Sequence, residues 1–112
     1  MRSQVLKGHL DLLVLAVLGD GPAHGYAVIE MLRARSLGAF DLAEGTVYPV
    51  LHRLEGSGLL RSEWSMVGGR RRRTYGLTRK GERSLASERR SWDEFSTAVS
   101  NVLGGAPWPA TN

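Results

Sequence analysis

The chain has 112 residues, a formal net charge of +4 and no cysteine. This length corresponds to one domain that buries a core but leaves much of its surface exposed. The lack of cysteine excludes disulfide scaffolds, thiolate metal sites and cysteine nucleophiles. Residues 61–90 hold ten basic and three acidic residues, and thirteen of the fifteen basic residues of the chain are arginine. The guanidinium group of arginine donates paired hydrogen bonds to phosphate oxygens and to guanine edges, so a polyanion is the expected partner.

The first predicted helix, residues 6–18, is apolar on most of its circumference, which is typical of a helix buried on more than one side. The same run resembles the apolar part of a secretory signal, because Arg2 and Lys7 precede it. Its short length and the polar residues that interrupt its approach disfavour this alternative. The run is far too short to span a membrane.

A turn rich in glycine and proline, residues 19–22, separates this helix from a second one predicted over residues 23–36. The buried stripe of the second helix is predicted to consist of Tyr26, Ile29 and Leu32. A connection follows over residues 37–43, in which Phe40 and Leu42 are expected to contact the core.

A third helix is predicted within residues 44–58. Its expected N-cap is Thr46, which leaves Pro49 in the first turn, and Gly58 is expected to end it. The apolar face has the i, i+3, i+4, i+7 spacing of a helix packed on a core, with Val47, Val50, Leu51 and Leu54. The opposite face carries Thr46, Tyr48, Pro49, His52 and Arg53. Three helices with short connections predict a helix-turn-helix, in which this third helix is the recognition helix.

After Gly58 the hydrophobic period changes from helical to alternating, which predicts an antiparallel hairpin with a turn at residues 68–69. One side of the first strand carries Leu60, Ser62, Trp64 and Met66, and the second strand covers residues 71–77. The arginines at or near the hairpin tip are Arg70, Arg71, Arg72 and Arg73. A hairpin of this kind beside a helix-turn-helix is a wing. The alternative is a solvated charge run without a partner.

Thr78 is predicted to cap a last helix that extends to residue 103. Its apolar residues fall at heptad a and d positions, with Glu88 at one d position, and they are Leu85, Trp92, Phe95, Val99 and Val102. This pattern predicts a seam between two copies of the chain. The apolar excess of the first helix adds Leu10 to the expected dimer interface. The alternative is a helix that lies back on its own domain.

Several motifs lie at distinctive positions along the chain. They are LKGHL at residues 6–10, HGY at 24–26, GTVYPVLHRLE at 45–55, GLL at 58–60, GRR at 69–71, YGLT at 75–78 and Gly81. Together they resemble the PadR family of bacterial transcriptional regulators, and the resemblance extends to about residue 103. The chain departs from the family pattern at two places. Ala43 stands where the family often has a capping Ser or Thr, and the arginine run is longer than the family pattern by one residue.

The resemblance implies a fold that is mainly α with a small β-hairpin. A winged helix-turn-helix domain would cover residues 1–77 and a C-terminal dimerisation helix residues 78–103, with a flexible tail over residues 104–112. It further implies a cytoplasmic homodimer that binds double-stranded DNA, mostly as a repressor.

In this family the exposed residues of the third helix face DNA, which implies that role for Thr46, Tyr48, His52 and Arg53. Thr46 and Tyr48 suit phosphate oxygens, whereas Arg53 suits a phosphate or a base edge. The alternatives are that Tyr48 is a half-buried ring at the core margin and that Arg53 forms an intrahelical pair with a nearby acid. In the branch that responds to drugs, an aromatic residue of the last helix lines a flat pocket between subunits. This implies a slot for small aromatic effectors at Trp92, for which simple packing is the alternative.

An enzyme is disfavoured, because the three histidines lie on three different predicted helices without metal-ligand spacing. No glycine-rich phosphate loop or nucleophile elbow is present either, so no cofactor or metal is expected. His24 is expected to form a hydrogen bond at the start of a helix rather than to take part in chemistry. The remaining alternative to a DNA-binding regulator is an RNA-binding or protein-interaction module, because a basic winged domain serves either.

Overall fold

The computed structural model describes residues 6–105, which form four α-helices and a three-stranded antiparallel sheet of order β1-β3-β2. The elements are α1 (Leu10–Leu18), β1 (Ala23–His24), α2 (Gly25–Arg35), α3 (Glu44–Gly56), β2 (Leu60–Val67), β3 (Arg70–Leu77) and α4 (Arg79–Ser100). A π-helical turn, Asn101–Gly105, follows α4 and is kinked at Gly104, whose φ of +122° is not helical. The architecture is therefore mainly α with a small hairpin, as predicted. Arg2 of the signal-sequence alternative and the tail beyond residue 105 lie outside the described residues.

One hydrophobic core joins the first three helices to the base of the hairpin. Its buried side chains are Leu10, Val14, Leu15, Val17, Leu18, Val28, Ile29, Leu32, Val47, Val50, Leu51, Leu54, Leu60 and Tyr75. The predicted apolar face of α3 is thus confirmed, because all four of its residues are buried. Each such side chain contributes about 1.5–3 kcal/mol when it leaves water. Leu42 packs against this core, as expected, whereas Phe40 is only half-buried.

The predicted first helix, residues 6–18, is interrupted, because Leu6 and Lys7 are helical, Gly8 and His9 form a turn and α1 begins at Leu10. The turn is closed by a hydrogen bond from the His9 N–H to the Leu6 carbonyl at 2.9 Å. The His9 side chain makes no capping hydrogen bond to α1. The apolar sequence therefore continues through a backbone break that periodicity does not reveal.

The predicted start of the second helix at Ala23 is also wrong. Ala23 and His24 form the short strand β1, which pairs with Tyr75 and Thr74 of β3. The His24 Nδ1 then accepts a hydrogen bond from the Ala27 N–H at 3.2 Å and caps α2. The prediction that His24 bonds at a helix start is confirmed, but its backbone belongs to the sheet.

The predicted buried stripe of α2 needs a correction at Tyr26, which is 47% exposed. Ile29 and Leu32 are buried as expected, and Gly25 is buried in the position that Tyr26 was expected to fill. A glycine suits that position because the ring of Tyr48 covers it and leaves no space for a side chain.

The predicted N-cap of α3 is wrong as well. Ala43 occupies the N-cap position with extended backbone and no side-chain cap, and Thr46 is the third residue of the helix. The Thr46 and Val47 N–H groups both donate to the Ala43 carbonyl, at 3.0 and 3.1 Å. Pro49 therefore lies in the second turn, where it leaves the carbonyl of Gly45 without the usual donor four residues on.

The end of α3 is as predicted. Gly58 has a φ of +80°, and the Leu59 N–H donates to the Leu54 carbonyl at 2.9 Å. Glycine has no Cβ and adopts this left-handed conformation without strain. The conformation turns the following N–H groups toward the last carbonyls of the helix, which then accept hydrogen bonds from them. The chain leaves α3 in the direction that places β2 beside it.

The wing is a two-residue hairpin in which Val67 pairs with Arg70 across the turn. Gly68 and Gly69 have φ values of +58° and +78°, as a type I′ turn requires. The second strand begins at Arg70 rather than at the predicted residue 71. The four arginines therefore lie along β3, with only the first adjacent to the turn.

The last helix is anchored at its start and projects at its end. The Thr78 Oγ1 accepts from the Gly81 N–H at 3.0 Å and donates to the Gly58 carbonyl at 2.6 Å, so the predicted cap is confirmed. Gly81 is buried, and Leu85 packs against the core. Further along, Trp92 and Phe95 are 41% and 57% exposed. The helix is thus packed closely on its own domain over its first two turns, and beyond them its contact with the domain is made by Trp92, whose ring meets that of His9.

Candidate nucleic-acid interface

The exposed face of α3 is a narrow polar ridge. Thr46, Pro49 and His52 are exposed along it. Gly45 and Gly56 lie on the same face, and a methyl group added to either would meet nothing within 4 Å. Two of the four predicted contact residues, Thr46 and His52, therefore lie on a surface that another molecule can approach closely.

Tyr48 lies at the border of this ridge and is half-buried. Its ring packs against the core and over Gly25, and its centroid lies 6.4 Å from that of His52. This is the geometry of the core-margin alternative. Any contact of Tyr48 with DNA is limited to the exposed edge of the ring.

Arg53 lies at the other border and forms a two-pronged ion pair with Asp11 of α1. The Arg53 Nη2 lies 2.6 Å from Oδ1 and the Nη1 lies 3.0 Å from Oδ2. The hydrogen bond from Arg53 to Asp11, followed by charge attraction, raises the pKa of Arg53 above its ordinary value. Arg53 is thus paired with an acid, but that acid belongs to another helix, so the intrahelical pair of the second alternative is wrong.

The four wing arginines divide between the two faces of β3, because side chains alternate along a strand. Arg71 and Arg73 flank Trp64, with their guanidinium carbons 4.5 and 5.6 Å from the ring centroid. Arg70 and Arg72 therefore lie on the opposite face. A guanidinium stacked on an aromatic ring is held in place with its N–H donors directed away from the ring face.

A polar network joins the stacked face of the wing to α3. The Ser62 hydroxyl donates to a carboxylate oxygen of Glu55. The Arg73 Nε donates to the Ser62 hydroxyl at 2.8 Å, and its Nη2 lies 3.6 Å from the same carboxylate of Glu55. The network therefore connects the C-terminal half of the recognition helix to the wing, on the face that carries Trp64.

Sequence reasoning missed three residues of this interface, namely Asp11, Glu55 and Trp64. For Trp64 a signal existed, because a two-residue Gly-Gly turn sets the register and places it opposite Arg73. Asp11 and Arg53 are 42 residues apart, and no local pattern connects them.

The predicted seam of α4 needs a correction at Leu85, which packs against the chain's own core, so the exposed apolar stripe begins at Trp92. Beyond Phe95, it continues through the half-buried Val99 to Val102, which is 85% exposed and lies in the π-helical turn. Leu10, also predicted at the interface, is buried in the chain's own core with 7% of its surface exposed, so little of it remains for a partner.

Trp92 borders an apolar cleft of about 230 Å³ between α4 and the first helix, lined by Leu6, His9, Leu12, Leu13, Phe40 and Trp92. Its ring meets that of His9 edge to face, with centroids 5.0 Å apart.

The described residues contain neither a candidate metal site nor a candidate membrane-spanning helix. Over residues 6–105, no three His, Asp or Glu side chains are grouped so that they could hold a metal ion. No described helix has the length and apolar character needed to cross a bilayer.

A three-helix core, an exposed third helix and an arginine-bearing hairpin beside it define a winged-helix regulator. The family model described as the transcriptional regulator PadR-like family matches residues 14–87. The chain belongs to this family, whose members are DNA-binding transcriptional regulators and not enzymes.

Relatives and solved structures agree with this assignment. The chain is 39% identical to the transcriptional regulator Rv3488 of Mycobacterium tuberculosis over 95% of this chain and 94% of that protein. A PadR-like transcriptional regulator of Bacillus cereus superposes with a TM-score of 0.82 at 30% identity, covering 93% of this chain and all of that one. A PadR-like transcription factor from Bacteroides fragilis superposes with a TM-score of 0.73 at 35% identity, covering 89% of this chain and 95% of that one.

Proposed function

We propose that the protein is a homodimeric transcriptional repressor that binds an inverted-repeat operator in the cytoplasm and is released by a planar aromatic ligand. The observation that carries DNA binding is the exposed ridge of α3 with the Trp64-stacked arginines of the wing beside it. A helix of this width enters the major groove, and a basic hairpin next to it meets the adjacent backbone.

The wing arginines suit a polyanion because each guanidinium offers a fork of N–H donors to phosphate oxygens. Contacts to phosphate set affinity, whereas specificity needs contacts to base edges. On α3 we assign phosphate contacts to Thr46 and the outer edge of Tyr48, and base contacts to His52 and Arg53.

Dimerisation is supported by the apolar stripe of α4. Trp92, Phe95 and Val102 are 41%, 57% and 85% exposed in the single chain, and they follow a heptad spacing over the last turns. Burying such a stripe against a second copy removes its apolar area from water. A two-fold dimer would present two recognition helices about 34 Å apart and would therefore select an inverted repeat.

Repression is the simplest consequence of such binding, because an occupied operator within a promoter blocks polymerase without further contacts. Release by an aromatic ligand is supported by the apolar cleft beside Trp92. This cleft lies between the DNA-binding domain and the dimerisation stripe, so a ligand there would change the angle between the two recognition helices.

The test is a selection of bound duplexes from a random-sequence DNA pool, followed by competition with duplex RNA of the same length at equal salt. We expect enrichment of a two-fold symmetric sequence that random DNA and RNA compete away poorly. Equal competition by RNA would favour an RNA-binding module, and failure to enrich any sequence would contradict an operator-binding regulator.

A further inference from the structure

The ion pair between Arg53 and Asp11 lies at the edge of the proposed DNA-binding ridge. Both side chains are about half exposed, with 56% and 43% of their surface accessible. Exposed ion pairs contribute only about 0.2–1 kcal/mol to stability. Stability alone is therefore a weak reason for this geometry.

The pair uses one particular edge of the guanidinium group. Asp11 contacts the two terminal nitrogens, Nη1 and Nη2, with one carboxylate oxygen on each. A guanidinium carries five N–H donors in a rigid fork. The Nε–H and the outer terminal N–H groups of Arg53 remain available, and side by side they match the O6 and N7 acceptors of guanine.

The carboxylate also changes how Arg53 is attracted to DNA in general. With Asp11 beside it, the pair carries no net charge, and the carboxylate repels a nearby phosphate. Counterion release, which drives binding to any sequence, therefore gains little from Arg53. A directed hydrogen bond to a base edge is retained, because it depends on the free N–H groups.

We propose that Asp11 is a specificity-determining residue that acts through Arg53. It holds the guanidinium in the orientation for a base edge and prevents it from serving as a phosphate contact on any sequence. This inference rests on the proposed operator-binding function and assigns to a residue of α1 a role in reading the operator.

The experiment compares the wild-type protein with Asp11→Asn on the enriched duplex and on a random duplex, by fluorescence anisotropy across a salt series. Removal of the carboxylate charge should tighten binding to random duplex. It should also steepen the slope of log affinity against log salt by about 0.9 per subunit, the contribution of one additional phosphate. The ratio of operator to random affinity should fall by about fivefold or more per half-site, the lower range for loss of one base contact.

Two comparisons separate this role from a structural one. In an Arg53→Ala background, Asp11→Asn should leave the affinity ratio unchanged, because the residue through which it acts is gone. The matched control is Asp20→Asn, which removes the same charge from another exposed ion pair, that with Arg35, and should leave the ratio unchanged. Thermal unfolding of each variant measures any loss of stability separately.

The inference is supported if Asp11→Asn lowers the ratio of operator to random affinity in the wild-type background and does not lower it in the Arg53→Ala background. An unchanged ratio, or an equal loss in the Arg53→Ala background, overturns it while the proposed function stands. A wild-type protein that prefers no duplex overturns the proposed function and this inference together.

Discussion

A Cβ atom at Gly25 would lie 2.6 Å from the ring of Tyr48, so the first residue of α2 and the fifth residue of α3 pack without space for a methyl group. The contact sets how closely the two helices of the helix-turn-helix approach each other. It also gives a structural role to the glycine of the HGY motif and to the tyrosine of the recognition helix.

Gly25→Ala should therefore destabilise the protein by about 1–3 kcal/mol, the usual cost of overpacking a filled site. The gain in helix propensity is under about 1 kcal/mol and does not offset the clash. The measurement is the urea midpoint of unfolding. Gly45→Ala is the matched control, because a Cβ there meets nothing within 4 Å, and it should be neutral or stabilising. Equal midpoints for both variants would contradict the close contact.

The two faces of the wing should contribute unequally to DNA binding. Arg71 and Arg73 share the Trp64 face that is connected to α3, so replacing both by alanine should flatten the salt slope on specific and random duplexes alike. The expected change is about 2 units per dimer, mostly from Arg71, because Arg73 is paired with Glu55. The same charge change at Arg70 and Arg72, on the opposite face, should have a smaller effect. The measurement is the salt dependence of anisotropy. If neither pair changes the slope, the arginines form only a solvated charge run.

The apolar stripe of α4 should hold the dimer. Phe95→Glu combined with Val99→Glu places two charges on it and should yield a monomer that no longer binds the enriched duplex, because buried unpaired charges are costly. Sedimentation gives the mass. Ala86→Glu with Thr97→Glu adds the same charge on the opposite side of the helix and should leave the dimer intact. A double variant of the stripe with the wild-type mass would contradict this interface.

Planar aromatic dyes should quench tryptophan emission through stacking on Trp92, which also packs near Phe95 at a centroid distance of 6.2 Å. Trp92→Ala should remove most of the quench. Trp64→Ala is the control, since that indole lies in the wing and should not affect dye binding. A quench that survives Trp92→Ala would leave the packing role as the better explanation.

Stability should decrease at alkaline pH because of Tyr75. Burial raises the pKa of its phenol above 10.0, and although Arg73 lowers it, Glu55 raises it further. Between the unfolded and the folded pKa the unfolded chain loses the proton first, so the free energy of unfolding falls as pH rises above the unfolded value. Tyr75→Phe should lose this dependence. The measurement is the free energy of unfolding of the wild-type protein and of Tyr75→Phe at about pH 8 and about pH 11. If this free energy changes equally with pH in the two proteins, the assignment to Tyr75 is wrong.

Local chemistry in the sequence determined much of the fold. The apolar face of α3, the glycine at its end, the threonine cap of α4 and the Gly-Gly hairpin each depend on residues within one or two turns of one another. Such features follow from backbone preferences and side-chain periodicity, which act over short distances along the chain.

The tertiary structure decided what those local rules leave open. β1 exists because Ala23 lies beside β3, although its own sequence reads as the start of a helix. The partner of Arg53 is Asp11 of α1, and the partner of Glu55 is Arg73 of β3, because α1 and the wing pack on different sides of α3. Pairing between distant residues depends on how the core packs, and the periodicity of any single segment carries no information about it.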